Sequence, residues 1–259
     1  ITKSQLLCNN GLRPKDFDGE VVPLELWDER YSELRSQHFA FPQDPISYAP
    51  NYIIVPESEE DIQKTISFSK RCGYKIVISS GGHQYSGLSS CDYTKGKCIQ
   101  IKLKSDTFSK LKIIKNSKDW EAEFEYIVIS GPGVSLGDFY NTNNDAGIFI
   151  PGGMCETVHT GGHSQSSGHG YLERAFGTMI DYIIQFRIIL ADGSIHNILE
   201  PGSKKYKRLK KANQLHPMND DIYFAVLGGG PGSWGVVTEY TYWANKNSDH
   251  PNSFLWQCL

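Results

Sequence analysis

The stretch KIVISSGGHQYSG, residues 75–87, governs the interpretation of the whole chain. It reads as a short apolar strand that runs into a glycine pair, followed by His83 and a third glycine at Gly87. Glycine permits positive φ and lets backbone N–H groups approach a ligand closely, and converging N–H groups hold phosphate oxygens without a metal. The histidine would then lie beside whatever the phosphates carry. For the glycine pair alone, a simple tight turn is the alternative.

A strand, a helix and a second strand are predicted around this loop. Residues 51–55 read as a strand that ends at Pro56, and a helix then begins with Ser58 as its N-cap and ends at Gly73. Residues 74–78 form the next strand. The glycine loop therefore follows a strand of a βαβ unit, at the sheet edge where open α/β proteins bind ligands.

The rest of the chain is predicted to alternate between strands and short helices. We predict a helix around residues 24–36 and another over 136–144, an extended segment over 148–151, and strands over 97–103, 124–130, 181–190, 194–199 and 234–243. The highly charged residues 104–123 are interpreted as the boundary between two lobes.

Composition narrows the class of protein. The chain has 259 residues, a net charge of -3 and 39% hydrophobic residues, which is ordinary for a globular protein and unlike a nucleic-acid-binding scaffold with a basic face. The basic run over 204–211 is interpreted as a solvated face, with a phosphate-binding patch as the alternative. No apolar run reaches the roughly 20 residues that span a bilayer. The chain begins at Ile1, so we expect a removed targeting peptide.

Six cysteines are too few for a disulfide scaffold of this length. Cys91 and Cys98 are close enough in sequence to close a small loop, and Cys8 with Cys72 is a second possible pair. The connectivity stays open, because it cannot be read from the sequence.

Glycine is concentrated in four clusters at strand ends, over residues 81–87, 131–137, 161–170 and 228–232. Tight turns are the simpler explanation for each cluster. Four such clusters beside apolar strands fit better with backbone that packs against one extended dinucleotide.

Four segments together resemble the FAD-linked oxidases of the vanillyl-alcohol-oxidase/PCMH superfamily, and most closely the berberine-bridge-enzyme and oligosaccharide-oxidase family. The segments are SSGGHQYSGLS (79–89), PGGMCETVHTGGH (151–163), YLERAFG (171–177) with the strand that follows, and DIYFAVLGGGPGSWGVVTE (221–239). They occur in the family's order. The resemblance implies an α+β fold, a two-lobed PCMH-type FAD-binding domain over residues 45–243, with lobes of about 45–110 and 120–243.

The resemblance also implies a site for FAD. The histidine and the cysteine of the first two motifs carry the flavin covalently in the family, so His83 would bond to the 8α-methyl and Cys155 to C6. Outside that context, a lone histidine after glycine is usually a turn residue and a lone cysteine a small buried hydrophobe. The predicted cofactor-binding residues are Ser80, Gly81, Gly82, His83, Gln84, Tyr85, Gly87, Cys155, Thr160, Gly161, Gly162, His163, Gly168, Val236 and Val237.

Several positions depart from the family's pattern. An arginine usually stands where Ser79 lies, and its replacement removes a positive charge from the pyrophosphate loop. A glycine usually stands where His159 lies, and Ser166, Ser167 and Leu227 are further departures. Side chains added near the flavin ring could block it, so a degenerate site is an alternative.

Zinc is considered for His159, His163 and His169. Their irregular spacing and glycine-rich surroundings do not match a zinc site, so no metal is predicted.

The chain is shorter than the family's proteins. We expect residues 1–44 to be an N-terminal extension and 244–259 a tail, with the substrate domain absent or supplied by a second chain. The last eleven residues resemble the family's closing segment only faintly. The residues present do not nominate a catalytic base.

The resulting hypothesis is an FAD-dependent oxidoreductase that oxidises an alcohol, either a sugar or an allylic alcohol, with oxygen as acceptor. The small side chain of Thr160 beside the ring favours oxygen access. The rival is a catalytically degenerate flavin domain that serves as a structural or assembly subunit, and a third idea is a secreted binding module without flavin. A secreted or organellar location is expected, with no nucleic-acid partner and no membrane span.

Overall fold

Two β-sheets organise the chain, as seen in a computed structural model that describes residue 8 and residues 11–38, 48–116 and 120–251. The first sheet has the strand order β1 (Glu20–Pro23), β2 (Tyr52–Val55), β4 (Cys98–Lys102), β3 (Lys75–Ser79). Strand β1 runs antiparallel to β2, whereas β2, β4 and β3 are mutually parallel. The predicted βαβ unit is therefore present, with β4 inserted between its two strands.

Helices α1 (Glu29–Arg35) and α2 (Glu59–Cys72) cover opposite faces of the first sheet. Leu34 of α1 packs with Ile53, whereas Phe68 of α2 packs with Ile54. Successive side chains of a strand point to opposite faces, so these contacts place the two helices on the two sides.

Helix α2 begins and ends as the sequence predicts. The Ser58 hydroxyl accepts a hydrogen bond from the backbone N–H of Asp61 at 3.2 Å, and Gly73 adopts the left-handed conformation with φ 71°. A side-chain N-cap and a left-handed glycine satisfy helix-end groups that would otherwise lack partners.

The second sheet is antiparallel, with the order β5 (Leu111–Lys115), β6 (Tyr126–Ser130), β10 (Val236–Lys246), β8 (Ile183–Ile189), β9 (Ile195–Leu199). Short strand β7 (Ile148–Phe149) pairs with the end of β10. The helices of this half are α3 (Leu136–Asp145), α4 (Thr160–His163), α5 (Glu173–Phe176), α6 (Lys204–Lys211) and α7 (Asn219–Gly228). Short 3-10 turns occupy Pro14–Asp16, Tyr93–Lys95, Asp106–Ser109, Met179–Tyr182 and Asn247–Asp249.

Three features differ from the sequence-based expectation. Strand β8 begins at Ile183 rather than at Asp181, because the Thr178 and Asp181 groups cap a 3-10 turn just before it. Strand β5 lies inside the charged segment 104–123 that was interpreted as a boundary. Residues 219–228, for which no element was predicted, form helix α7.

Parts of both predicted end segments join the sheets. Strand β1 and helix α1 lie within the predicted extension 1–44 and complete the first sheet, and β10 extends into the predicted tail as far as Lys246. Residues 252–259, with most of the closing-segment resemblance, lie outside the described residues. The domain limits at 44 and 244 stay predictions.

Helix α2 also joins the two sheets. Its Ile62 and Ile66 share an apolar cluster with Ile189 and Val236 of the second sheet. Beside this cluster, the Arg187 guanidinium donates two hydrogen bonds, of 2.7 and 2.8 Å, to the Glu59 carboxylate. Burial of apolar side chains attracts the two sheets without a preferred direction, and the bidentate ion pair fixes the orientation of helix α2 on the second sheet.

Two disulfides, Cys8–Cys72 and Cys91–Cys98, are present, as the sequence suggested. Among the described cysteines, Cys155 is free and exposed. Cys72 ends α2 and Cys98 begins β4, so both bridges stabilise the first half of the molecule.

No helix within the described ranges is both long and apolar enough to cross a bilayer.

We predict that Arg187→Met lowers the free energy of unfolding by about 1–2 kcal/mol, because it leaves the Glu59 carboxylate, whose side chain is 26% exposed, without its two-point donor. Burial pushes the pKa of Glu59 upward, but hydrogen bonds from Arg187 and Thr238 hold it below its ordinary value on balance. Urea unfolding at neutral pH measures the loss. The matched control is Arg13→Met, which removes an exposed ion pair with Asp16 and should cost less than about 0.5 kcal/mol. Equal losses in the two variants would contradict the prediction.

Candidate functional site

The glycine loop over residues 80–87 follows the carboxyl end of β3, as predicted. Gly82 and Gly87 both have positive φ, 75° and 73°. The ring of Tyr48 lies 2.1 Å from where a Cβ of Gly87 would stand, so a side chain there would force the ring to move. The carbonyl of Gly82 accepts a hydrogen bond from the backbone N–H of His38 at 2.9 Å. Contacts with the preceding part of the chain thus set the shape of the loop.

The structure brings the two predicted attachment residues to one hydroxyl group. The Nε2 of His83 lies 3.0 Å from the Thr157 Oγ1, and the Cys155 Sγ lies 3.4 Å from the same oxygen. The imidazole of His83 also stacks on that of His38, with ring centroids 4.3 Å apart. Sequence reasoning named neither Thr157 nor His38. Thr157 could have been found from its place two residues after Cys155, whereas nothing in the sequence marked His38.

The environment of His83 favours a neutral imidazole. Burial lowers its pKa, and the neighbouring His38 ring lowers it further. A neutral imidazole keeps a lone pair on one ring nitrogen, which is the form required of a nucleophile.

The second and third glycine clusters meet the first where helix α4 begins. A Cβ on Gly161 would lie 2.8 Å from Pro132 and 2.9 Å from the Ser80 Oγ. Thr160 is fully buried, and its hydroxyl donates a 2.8 Å hydrogen bond to the carbonyl of Gly131. Only a glycine at position 161 lets these three segments approach so closely.

The amide of Gln165 ties the fourth cluster to the others. Its Nε2 donates to the carbonyl of Gly161 at 2.9 Å and to the Tyr240 hydroxyl at 2.7 Å, and its Oε1 accepts from the N–H of Gly232 at 3.1 Å. All four glycine clusters therefore converge. Gln165 lies within the third cluster but was not predicted as a site residue.

Two predicted site residues, His163 and Gly168, contact other parts of the protein. The Nε2 of His163 accepts a 2.8 Å hydrogen bond from the N–H of Gly153, and burial lowers its pKa to about 4. Gly168 has φ 74° and packs against Met179, which leaves no space for a side chain. Both residues shape the backbone beneath the site.

The remaining predicted residues differ widely in exposure. Val236 and Val237 are each 3% exposed and pack in apolar clusters, whereas Tyr85 is 79% exposed. Gln84 stabilises its own turn, since its Oε1 accepts from the N–H of Leu88. A Cβ on Gly162 would meet nothing within 4 Å. Their roles as cofactor-binding residues stay predictions.

His159, which stands where the family usually has glycine, packs against the first loop. Its ring carbons lie about 3 Å from where a Cβ of Gly81 would stand. Its Nδ1 is buried and has no hydrogen-bond partner within the described part of the chain. Burial lowers the pKa of His159 to about 4, and nearby His83 and Lys102 lower it further. The described residues contain no group of three or more His, Cys, Asp or Glu side chains that could hold a metal ion.

Comparison with known proteins defines the class. The model of the FAD binding domain matches residues 50–199, and the chain belongs to this family of FAD-binding proteins. The particular relatives are berberine-bridge-type proteins: berberine bridge enzyme-like 16 of Arabidopsis thaliana is 34% identical over 190 residues, which cover 73% of this chain and 30% of the relative. Reticuline oxidase of Eschscholzia californica is 29% identical over 210 residues, 80% of this chain and 34% of the relative. The chain thus spans about a third of the length of these curated relatives.

Solved structures agree on the fold. The berberine bridge enzyme of Eschscholzia californica superposes with a TM-score of 0.68 and 26% identity, over 93% of this chain and 43% of that one. BBE-like 1 of Physcomitrella patens superposes with a TM-score of 0.69 and 24% identity, over 95% and 45%. The predicted α+β, PCMH-type FAD-binding fold is confirmed.

The residues present fit FAD. Two buried polar atoms adjoin the glycine loop, the Ser79 Oγ and the His159 Nδ1, and neither has a hydrogen-bond partner among the residues that the structure describes. A Cβ on Gly162 would likewise meet nothing within 4 Å. The convergence of His83 and Cys155 on Thr157 supplies two potential attachment atoms. A loop of glycines with backbone N–H donors suits the phosphates.

We predict that protein stability decreases as pH falls from 6.5 towards 4, and that His163→Gln removes up to about 3 kcal/mol of this decrease. The folded-state pKa of His163 lies near 4, below its unfolded value of about 6.5. The unfolded chain therefore binds more protons in this window, and stability is full above it. Glutamine retains an acceptor for the Gly153 N–H. Urea unfolding at several pH values tests this prediction. The free energies of unfolding of the parent protein and of His163→Gln should change in parallel with pH between 7 and 8. Curves that stay parallel below pH 6 would contradict the prediction.

Proposed function

We propose that this chain is the FAD-binding part of an oxidoreductase that oxidises an alcohol, a sugar or an allylic alcohol, with oxygen as the acceptor. Membership of the FAD binding domain family supports the cofactor. The observation that carries the proposal is the convergence of His83 and Cys155 on the Thr157 hydroxyl. The packing of the chain alone gives no reason for residues from these two separate motifs to lie beside the same hydroxyl group.

The chain's residues divide between the two ends of the cofactor. The backbone N–H groups of residues 80–85 would hold the diphosphate, and the flavin ring would lie between His83 and Cys155. When bound, the flavin supplies a hydride acceptor. Burial of Thr160, whose hydroxyl is engaged by Gly131, keeps that side chain away from the ring and supports oxygen as the acceptor.

Covalent attachment at both residues is part of the proposal. Each attachment would exchange a C–H bond of the flavin for a C–N bond to His83 or a C–S bond to Cys155, and the two electrons and two protons released would pass to oxygen as hydrogen peroxide. The neutral imidazole of His83 is the nucleophilic form that its attachment requires, and Cys155 is exposed and not in a disulfide, so that its thiolate would be the nucleophile at the second position.

We infer a secreted or organellar location, since the two disulfides suit an oxidising compartment. No substrate and no catalytic base are assigned to this chain, which spans about a third of the length of its curated relatives. A second chain that would supply the substrate domain has no support in the described residues.

One observation favours the rival function, a structural or assembly subunit. The ring of His159 lies against Gly81, where the family's glycine would leave space beside the diphosphate loop. If this ring excludes the cofactor, the protein would keep its fold but catalyse no reaction, because its apolar clusters are built from its own side chains.

We predict that the purified protein is yellow and keeps its flavin after denaturation in acid. His83→Ala and Cys155→Ala should each leave one attachment, and the double variant should release all flavin into the supernatant. Visible absorbance and fluorescence of the precipitate measure this, with His216→Ala, which removes an imidazole outside the glycine clusters and breaks no disulfide, as the control that retains the flavin.

A panel of alcohols is then screened for peroxide release from the flavin-loaded protein. Release with a sugar or an allylic alcohol, but not with an alkane-diamine, is the expected result. A colourless protein that cannot be loaded with FAD would overturn the oxidoreductase proposal in favour of the structural subunit.

A further inference from the structure

Lys102 is a buried ammonium group with little to neutralise it. It is the last residue of β4, and it is only 6% exposed. Its Nζ donates one hydrogen bond, of 2.6 Å, to the carbonyl of Leu34, and no carboxylate in the described ranges lies within ion-pair distance. An ammonium group has three N–H donors, so two of them have no acceptor among the described residues. A buried charge in this condition is costly unless a partner reaches it.

Ser79 lies beside this lysine on the neighbouring strand. It is the register partner of Lys102 in the parallel pair β3 and β4, so both side chains project from the same face of the sheet. Ser79 is 2% exposed, and its Oγ has no hydrogen-bond partner in the part of the chain that the structure describes. The glycine loop begins at the next residue, Ser80.

His159 adds a third group from the second half of the chain. Its ring packs on Gly81, two residues after Ser79, and its buried Nδ1 has no hydrogen-bond partner within the described ranges. The charge of Lys102 is one cause of the lowered pKa of His159, so the two groups lie within electrostatic reach of each other.

All three groups can donate hydrogen bonds: an ammonium, a hydroxyl and the Nδ1–H tautomer of a neutral imidazole. Their common need is for an acceptor that carries negative charge. A metal cation would be repelled by Lys102, and a neutral apolar group would leave all three unsatisfied. The chemistry therefore selects an oxyanion.

We propose that Lys102, Ser79 and His159 form an anion-binding floor beneath the glycine loop that takes the diphosphate of FAD. This inference rests on the proposed function. The positive charge that Ser79 does not supply would come from the adjacent strand, and His159 would be a ligand-binding group instead of an obstruction. The competing role for Lys102 is purely structural, as a donor to the last turn of helix α1 through Leu34.

The test replaces Lys102 with methionine, which keeps the length of the side chain and removes the charge. The parent protein carries His83→Ala and Cys155→Ala, so that FAD binds without a covalent bond and its affinity can be measured. The matched control is Lys104→Met, which removes the same charge two residues away from a side chain that is 29% exposed and pairs with Glu33.

Calorimetry measures the binding of FAD, ADP and riboflavin. We expect Lys102→Met to weaken FAD and ADP at least about tenfold, leave riboflavin within about twofold, and leave the thermal midpoint of the unliganded protein unchanged or raised. Lys104→Met should change each affinity less than about twofold. Unchanged FAD and ADP affinities in Lys102→Met, or a lowered unliganded midpoint with unchanged ADP affinity, would show the structural role and overturn the inference.

A second measurement needs no substitution at Lys102. The pKa of Lys102 is lowered to about 8, chiefly by burial. The charges of Lys104 and Arg30 lower the pKa as well, whereas the charge of Glu33 raises it. ADP affinity of the parent should therefore fall as pH rises from 7 to 9, and a flat profile would overturn the inference. If the parent binds neither ADP nor FAD, the proposed function falls as well, whereas binding that ignores Lys102 removes this inference alone.

Discussion

The contact of helix α2 with both sheets is the constraint on which the site depends. Its Ile62 and Ile66 lie in one apolar cluster that also contains Ile101 of the parallel sheet and Ile189 and Val236 of the antiparallel sheet. Glu59, at the first turn of the same helix, holds Arg187 of β8. The loop after β3 and the loop before α4 arise on different sheets. The position of these two loops relative to each other therefore depends on how helix α2 packs against the two sheets.

The site itself is assembled from backbone more than from side chains. Glycines are needed at 87 and 161 because a ring or another chain segment occupies the space where a Cβ would stand. Gln165 then joins the carbonyl of Gly161 to the N–H of Gly232. The convergence of four glycine clusters is thus a packing result, and it creates the setting in which His83 and Cys155 share the Thr157 hydroxyl.

The sequence predicted those parts of the fold that local chemistry determines. The Ser58 cap, the Gly73 terminus and the apolar strand before the glycine loop carry their own signals, and each was located within a residue or two. Strand β5 was missed because Lys112 and Lys115 are exposed and its other three residues are only half-buried at the edge of the sheet, so its composition looked like a charged linker. Edge strands bury one face weakly, and their pattern is correspondingly faint.

The candidate site was predictable to the extent that it consists of continuous motifs. His83 and Cys155 each lie in a recognisable segment, whereas the contact of His38 with His83 joins residues that are distant in the chain and carry no motif. The pairing of Ser79 with Lys102 depends on strand register, which a single sequence does not specify when β4 inserts between β2 and β3. Long-range register and ring stacking are properties of the assembled sheets.

The distribution of cysteines has a consequence for the order in which the molecule matures. Both described disulfides belong to the first half, while the exposed thiol of Cys155 lies in the second. An accessible thiolate attacks disulfides through mixed intermediates, so Cys155 competes with the correct partners during oxidation. Among the described residues, both sulfur bonds lie in the parallel half and none lies in the antiparallel half. Correct pairing is therefore a kinetic competition, and a group that occupied Cys155 early would remove one competing thiol from it.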